Sequence, residues 1–144
     1  MTAALIEILR AGGHTLVVGN AGRIETFDRR GVADLYELLT VRPRFLRGAS
    51  VADKVVGKGA AALMLAGGVA ALHADVISEP ALRLFKRAAT VDVTYDALVP
   101  GIRNRTGTGP CPVEKLCAAT DDIAECYELI SEFIKSQNAS NPHQ

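Results

Sequence analysis

Hydrophobic residues recur every three or four positions in several stretches of the chain, which is the spacing of one face of an α-helix. The first stretch ends at Gly12-Gly13, the second ends at Pro43, and another covers Leu82 to Ala89. The last begins at Thr120, its predicted N-cap, and carries an apolar stripe from Ile123 to Ile134. Because glycine and proline stop helices, these boundaries predict four separate amphipathic helices.

Short runs of β-prone residues lie between these helices. Thr15 to Val18 and Arg23 to Phe27 are separated by glycine and asparagine, which predicts a hairpin. Val69 to Ile77 is apolar at nearly every position, as in a central strand covered on both faces. Val91 to Tyr95 alternates apolar and polar residues. With a helix between them, these last two runs predict a βαβ unit with parallel strands.

Residues 51 to 66 are apolar almost all round, and we interpret them as the most buried helix. Ser50 would cap this helix, and Asp53 would be the acidic member of a capping box. Together the elements predict an α/β fold with three layers, helix–sheet–helix, around a mixed sheet of four or five strands. One domain is expected over residues 1–136, followed by a disordered polar tail at 137–144.

Composition narrows the classes of function. Of the 144 residues 49% are hydrophobic, and 16 lysines and arginines balance 16 aspartates and glutamates. The balanced charge gives no reason to expect nucleic acid or an anionic membrane as a partner. The longest uncharged apolar stretch, Gly59 to Leu72, is shorter than the roughly 20 residues of a membrane span. Three cysteines without a secretory signal predict reduced thiols and a cytoplasmic protein.

Ligands of open α/β sheets bind beyond the carboxyl ends of the parallel strands. This rule indicates the start of the buried helix, the residues that follow the first parallel strand, and the loop that follows the second. Polar side chains from the first two segments are Asp53, Lys54, Lys58, Ser78 and Glu79. Lys54 and Lys58 would share one face of the helix, where burial of an unpartnered ammonium is costly.

Cys111 opens a further helical segment. It occupies the predicted cap, Pro112 the first helical position and Glu114 the third. Three interpretations stay open. The prolines and the cap order a loop in which the cysteine is incidental, or the free amides bind an anion that Gly107 and Gly109 allow to approach, or the helix dipole activates the thiol as a nucleophile.

Other motifs are weaker. His73 and Asp75 lie on one face of a strand. Either they form a polar pair in a site or, in the interpretation that we favour, His73 is a core histidine whose hydrogen bonds are satisfied. The cysteines show no C-x-x-C pair and no histidine at ligand spacing, so we expect neither a metal nor a cofactor. Gly57-Lys58-Gly59 lacks the earlier glycine and the following serine or threonine of a phosphate-binding loop.

Three blocks of the sequence carry a resemblance, namely Ser50–Ala61, Ile77–Ala81 and Asn104–Lys115. In these blocks the chain resembles an uncharacterised bacterial family of unknown function that is grouped with the cytidine-deaminase-like fold. The resemblance extends over nearly the whole chain. It implies a deaminase-like scaffold with a site at the start of the buried helix and the loop from Asn104 to Glu114 over it.

Zinc deaminases have His-Ala-Glu or Cys-Ala-Glu at the start of that helix and Pro-Cys-x-x-Cys after the next strand. Here the two places read Ala52-Asp53-Lys54 and Glu79-Pro80-Ala81. Because the metal ligands and the catalytic glutamate are absent, this chain is not expected to be a zinc-dependent deaminase.

Three hypotheses for the function follow. The leading one is a protein that binds a small anionic, nucleotide-like ligand; the second is a zinc-independent enzyme; the third is a non-catalytic module that forms a homo-oligomer. The candidate catalytic residues are Cys111, Lys54 and Asp53. The candidate ligand-binding residues are Lys58, Ser78, Glu79, Asn104, Arg105, Gly107, Gly109 and Glu114.

Overall fold

A computed structural model of the chain describes residues 2–29, 31–103 and 111–140, with side chains as far as residue 137. The helices are α1 (Thr2–Ala11), α2 (Ala33–Val41), α3 (Pro43–Leu46), α4 (Lys58–Gly67), α5 (Glu79–Ala88), α6 (Pro112–Cys117) and α7 (Ile123–Ser140). The strands are β1 (Leu16–Asn20), β2 (Arg23–Phe27), β3 (Ser50–Val56), β4 (Ala71–Ser78) and β5 (Asp92–Val99).

The five strands form one mixed sheet in the order β2-β1-β3-β4-β5. β1 is antiparallel to both of its neighbours, whereas β3, β4 and β5 are parallel to one another. The predicted hairpin and the parallel βαβ unit are therefore confirmed, and so is the mixed sheet flanked by helices. In the hairpin turn Ala21 and Gly22 both have positive φ, 50° and 79°, as the right-handed twist of a two-residue hairpin requires.

The two faces of the sheet bury different sets of residues. Val17 and Ala52 face α1 and pack with Leu5 and Leu9. The alternate residues of the same strands, such as Val18, belong to the larger core, whose centre is the buried helix α4. Since side chains alternate across a strand, α1 covers one face and the other helices cover the opposite face. The helix–sheet–helix layering follows from this alternation.

The predicted helix over residues 51 to 66 is wrong in its first half. Ser50–Val56 is strand β3, which pairs with β1 and β4, and the helix begins only at Lys58. The run contains three valines, which favour a strand, and Gly57 separates strand from helix. A continuous apolar run does not distinguish a buried strand from a buried helix. Consequently Ser50 and Asp53 form no helix cap, and Lys54 and Lys58 do not share a helix face.

The last helix also differs from its prediction in detail. Asp122, and not Thr120, caps α7, because Asp122 Oδ1 accepts hydrogen bonds from the backbone N–H groups of Ala124 and Glu125. The helix continues through Ser140, past the predicted start of the polar tail at residue 137. No helix in the described ranges is both long enough and apolar enough to cross a membrane.

Candidate functional site

The carboxyl ends of β3 and β4 lead directly into α4 and α5, so both helices start at the same end of the sheet. Gly57, the N-cap of α4, has no side chain to bind the free amides of the helix. Glu114 of α6 takes this role, and its Oε2 accepts a hydrogen bond from the backbone N–H of Lys58. A carboxylate at this position also interacts favourably with the positive end of the helix dipole.

The second carboxylate oxygen of Glu114 is unusual. Glu114 is buried, at 9% exposure, and its Oε1 has no hydrogen-bond partner within the described residues. An unpaired buried acceptor costs about 1–3 kcal/mol, and more when it is charged. Such groups are rare in folded proteins, and each one calls for a partner.

Two glycines allow α6 to approach the start of α4. A Cβ atom on Gly57 would lie 2.5 Å from Glu114 Oε2 and 3.2 Å from Ile102 Cγ1, and one on Gly59 would lie 2.3 Å from Val113 Cγ1. A side chain at either position would force these neighbouring side chains to shift, so the two glycines favour close packing of the helices. The Gly57-Lys58-Gly59 motif therefore permits the contact between these two helices.

Lys58 is buried, and its ammonium already has a partner. Lys58 Nζ lies 2.8 Å from Asp121 Oδ1, and the second oxygen of Asp121 accepts a hydrogen bond of 2.8 Å from Arg87. The hydrogen bond and the charge of Lys58 lower the pKa of Asp121, and Arg87 lowers it further. This bridge links α4 and α5 to the segment that precedes α7, so the lysine charge is used within the fold.

The other predicted residues near this end of the sheet have separate roles. Ser78 is fully buried and caps α5, with its Oγ accepting a 3.2 Å hydrogen bond from the backbone N–H of Ala81. Glu79 is the first residue of α5 and its side chain is exposed. Lys54 is an exposed residue of β3, whose backbone N–H donates to the carbonyl of Thr15. Among the predicted residues that the structure describes, Lys58 and Glu114 are joined across the chain by a hydrogen bond.

Cys111 is the N-cap of α6, with Pro112 at the first helical position, as predicted. The thiol is partly exposed, and the backbone N–H of Cys111 donates to the carbonyl of Ile102 at 2.8 Å. Asn104, Arg105, Gly107 and Gly109 lie outside the described residues, so their predicted contact with a ligand stays a prediction.

Asp53 lies within β3, level with Leu16 of β1 and Ala74 of β4. Desolvation raises the pKa of Asp53 to about 7, although hydrogen bonds from the backbone N–H groups of Val55 and Lys54 oppose the shift. The nearby negative charge of Asp75 raises the pKa further. A carboxyl group that titrates near neutral pH is suited to proton transfer in chemical terms.

A second polar cluster lies on the face of the sheet that α1 covers. His73 of β4 stands level with Ala52 and Thr94, and its Nε2 lies 3.6 Å from Asp75 Oδ1 and 3.7 Å from Asp96 Oδ1. The sequence pattern indicated His73 and Asp75 as a pair but did not indicate Asp96, which β5 brings beside them. The alternation of apolar and polar residues in β5 could have identified Asp96, because it lies on the more polar face of that strand.

Comparison with known proteins places the chain in a family. The model of a family described as a domain of unknown function, DUF1893, matches residues 4–134. The crystal structure of a DUF1893 family protein, TM1506, from Thermotoga maritima at 2.70 Å resolution is similar, with a TM-score of 0.83 and 29% sequence identity. The similarity covers 90% of this chain and 87% of that one. Among curated proteins, none matches this chain.

Proposed function

The chain belongs to the DUF1893 family, and we propose that it binds a small nucleotide-like ligand at the carboxyl ends of β3 and β4. The observation that carries this proposal is the buried Oε1 of Glu114, which has no partner in the described part of the chain. Such an oxygen is satisfied by an N–H or O–H donor. Nucleobases present amino and imino donors along their edges, and proteins read them by hydrogen bonds to those edges.

The anionic part of the expected ligand needs a cation that the fold has not already used. Lys58 does not meet this condition, because its ammonium binds Asp121. We assign the role to the segment around Arg105, with Gly107 and Gly109 allowing close approach of a phosphate or carboxylate. Arg103, which leads into this segment, is exposed. The ligand would thus have its donor edge on Glu114.

The deaminase-like grouping of the fold belongs to the same proposal. It is supported by a buried helix, α4, that starts directly after a central parallel strand, and by a second helix start after the next strand. Because α4 begins at Lys58, the position of the His-Ala-Glu motif of a zinc deaminase is occupied by Lys58-Gly59-Ala60. The position of the Pro-Cys-x-x-Cys motif is still occupied by Glu79-Pro80-Ala81. Both lack the histidine and cysteine ligands of a zinc deaminase. The zinc-independent enzyme that uses Cys111 or Lys54, and the homo-oligomeric module, stay predictions.

The experiment is a binding assay with defined probes. The melting temperature of the full chain is measured with adenosine, cytidine, guanosine, uridine and their 5′-monophosphates, and each positive compound is titrated by calorimetry. We expect at least one compound to raise the melting temperature, since a ligand that binds only the native state stabilises it. Glu114→Gln keeps an oxygen for the N–H of Lys58 but offers an amide donor where the ligand also has one. It should therefore weaken binding at least about tenfold, about 1.4 kcal/mol.

The matched control is Glu128→Gln, at an exposed position of α7. This variant should bind each probe as the unchanged chain does. The proposal is wrong if none of the eight compounds binds the unchanged chain, or if Glu114→Gln binds them with unaltered affinity.

A further inference from the structure

A histidine and two carboxylates from different strands converge on the α1 face of the sheet. One ligand atom from each of His73, Asp75 and Asp96 lies within 4.8 Å of the others. Two ligands of a tetrahedral ion with bonds of about 2.1 Å stand about 3.4 Å apart. The observed separations from His73 Nε2, 3.6 Å to Asp75 and 3.7 Å to Asp96, are close to this value. These separations are too long for direct hydrogen bonds.

The buried imidazole of His73 is a second observation that favours a ligand at this cluster. The His73 side chain is only 8% exposed, and its Nε2 has no hydrogen-bond partner among the described residues. Its other nitrogen, Nδ1, lies 2.8 Å from Thr94 Oγ1. A histidine that binds a metal commonly uses its second nitrogen in this way, because the hydrogen bond fixes the ring orientation. The arrangement leaves Nε2 directed at two carboxylates, and a cation between them would satisfy all three.

Arg10 of α1 provides a positive charge beside the two carboxylates. Its Nη2 contacts Asp96 Oδ2 and lies 3.4 Å from Asp75 Oδ1. The Arg10 side chain is 53% exposed, so the guanidinium can turn into solvent at low cost. This single positive charge faces two carboxylates, which leaves an excess of negative charge on them. A divalent cation would correct this balance.

We propose that His73, Asp75 and Asp96 bind a divalent transition-metal ion, which displaces the guanidinium of Arg10 from the carboxylates. One imidazole and two carboxylates suit Zn²⁺ and Mn²⁺ better than Ca²⁺ or Mg²⁺, which favour oxygen ligands alone. Three protein ligands leave at least one coordination position for water or for an oxygen of another molecule. This site lies on the opposite face of the sheet from α4 and is independent of Glu114.

The test is titration of the metal-free full chain with MnCl₂, ZnCl₂ and MgCl₂, followed by calorimetry and, for Mn²⁺, by electron paramagnetic resonance. Thiolates favour Zn²⁺, so the three cysteines of the chain compete with the proposed site for this ion. Mn²⁺ is included for this reason. We expect one bound Mn²⁺ or Zn²⁺ per chain, with weaker Mg²⁺ binding. His73→Gln and Asp96→Asn should each weaken binding at least about tenfold. Arg10→Gln should tighten it, because the competing cation is removed.

His14 supplies a matched control, since it too pairs with a carboxylate, Asp28, at 2.6 Å. His14→Gln should leave the affinity for the metal unchanged. Should His73→Gln fail to fold, Asp96→Asn alters an exposed side chain and decides the matter by itself. The proposal is overturned if neither Mn²⁺ nor Zn²⁺ binds stoichiometrically. It is also overturned if Asp96→Asn binds as tightly as the unchanged chain, or if Arg10→Gln weakens binding.

Discussion

Asp53 makes the stability of this fold depend on pH in a direction that is opposite to that of most aspartates. Its pKa is about 7 in the folded chain, mainly because of desolvation, against about 3.9 in an unfolded chain. Below both values the carboxyl group is protonated in both states and does not affect the free energy of unfolding. As the pH rises from about 4 to 7, the unfolded chain loses its proton first, so folding becomes less favourable. Well above pH 7 the carboxyl group is ionised in both states, and the reduction in the free energy of unfolding no longer changes with pH.

The size of the effect follows from the shift in pKa. The difference between a pKa of about 7 in the folded chain and about 3.9 in the unfolded chain sets an upper limit of about 4 kcal/mol. Because Asp53 retains partial exposure, solvent screening reduces the figure, and we expect about 2 kcal/mol. Asp53→Asn removes the titration and keeps an oxygen that accepts the hydrogen bond from the N–H of Val55. The variant should be about as stable as the unchanged chain at pH 4 and about 2 kcal/mol more stable at pH 8.

The assay is urea denaturation at half-unit steps from pH 4 to pH 8, with the free energy of unfolding compared between the two proteins. Asp92→Asn, at an exposed position of β5, controls for the loss of one negative charge and should show a difference that varies little over this range. A difference between Asp53→Asn and the unchanged chain that stays constant with pH would refute the reasoning, as would a larger difference at pH 4 than at pH 8.

Two further predictions concern packing and the thiols. Gly59→Ala should lower the free energy of unfolding by about 1–2 kcal/mol in urea denaturation, because the clash with α6 outweighs the gain in helix propensity. Gly101→Ala, with open space around the new methyl group, should change it by less than about 0.5 kcal/mol, and equal effects would contradict the packing argument. A thiol reagent at pH 8 should modify only Cys111 in the native chain and all three cysteines in urea, because Cys117 and Cys126 are buried. Burial raises the pKa of both buried thiols, that of Cys117 to about 12, and rapid native labelling of more than one thiol would contradict their burial.

The elements that the sequence predicted well depend on local chemistry. The hairpin follows from residues that tolerate positive φ between two β-prone runs, and α5 follows from its apolar stripe and its place between two strands. The cap of α6 at Cys111 follows from the proline behind it. In each case the deciding residues are within a few positions of one another, so the pattern alone is sufficient.

The candidate sites were harder to predict because they join distant parts of the chain. Glu114 binds the backbone of Lys58, 56 positions away, and Arg10 binds Asp75, 65 positions away. The sequence marks Lys58 as a costly buried charge, but only the fold reveals that Asp121 neutralises it. The error at residues 51 to 66 had a further effect, since it placed Asp53 and Lys54 on the same helix as Lys58.

By itself, the sequence determined the class of fold, the parallel βαβ unit and the absence of the ligands of a zinc deaminase, because residue type and spacing are sufficient for each. Only the tertiary structure decided that β3 is a strand, because its apolar residues suit either state until β1 and β4 provide hydrogen-bond partners. The fold also decided which polar groups were left unsatisfied. Within the described part of the chain, Glu114 Oε1 and His73 Nε2 lack partners because of where α6 and β4 lie. Burial turns this ordinary carboxylate and this ordinary imidazole into candidate binding groups.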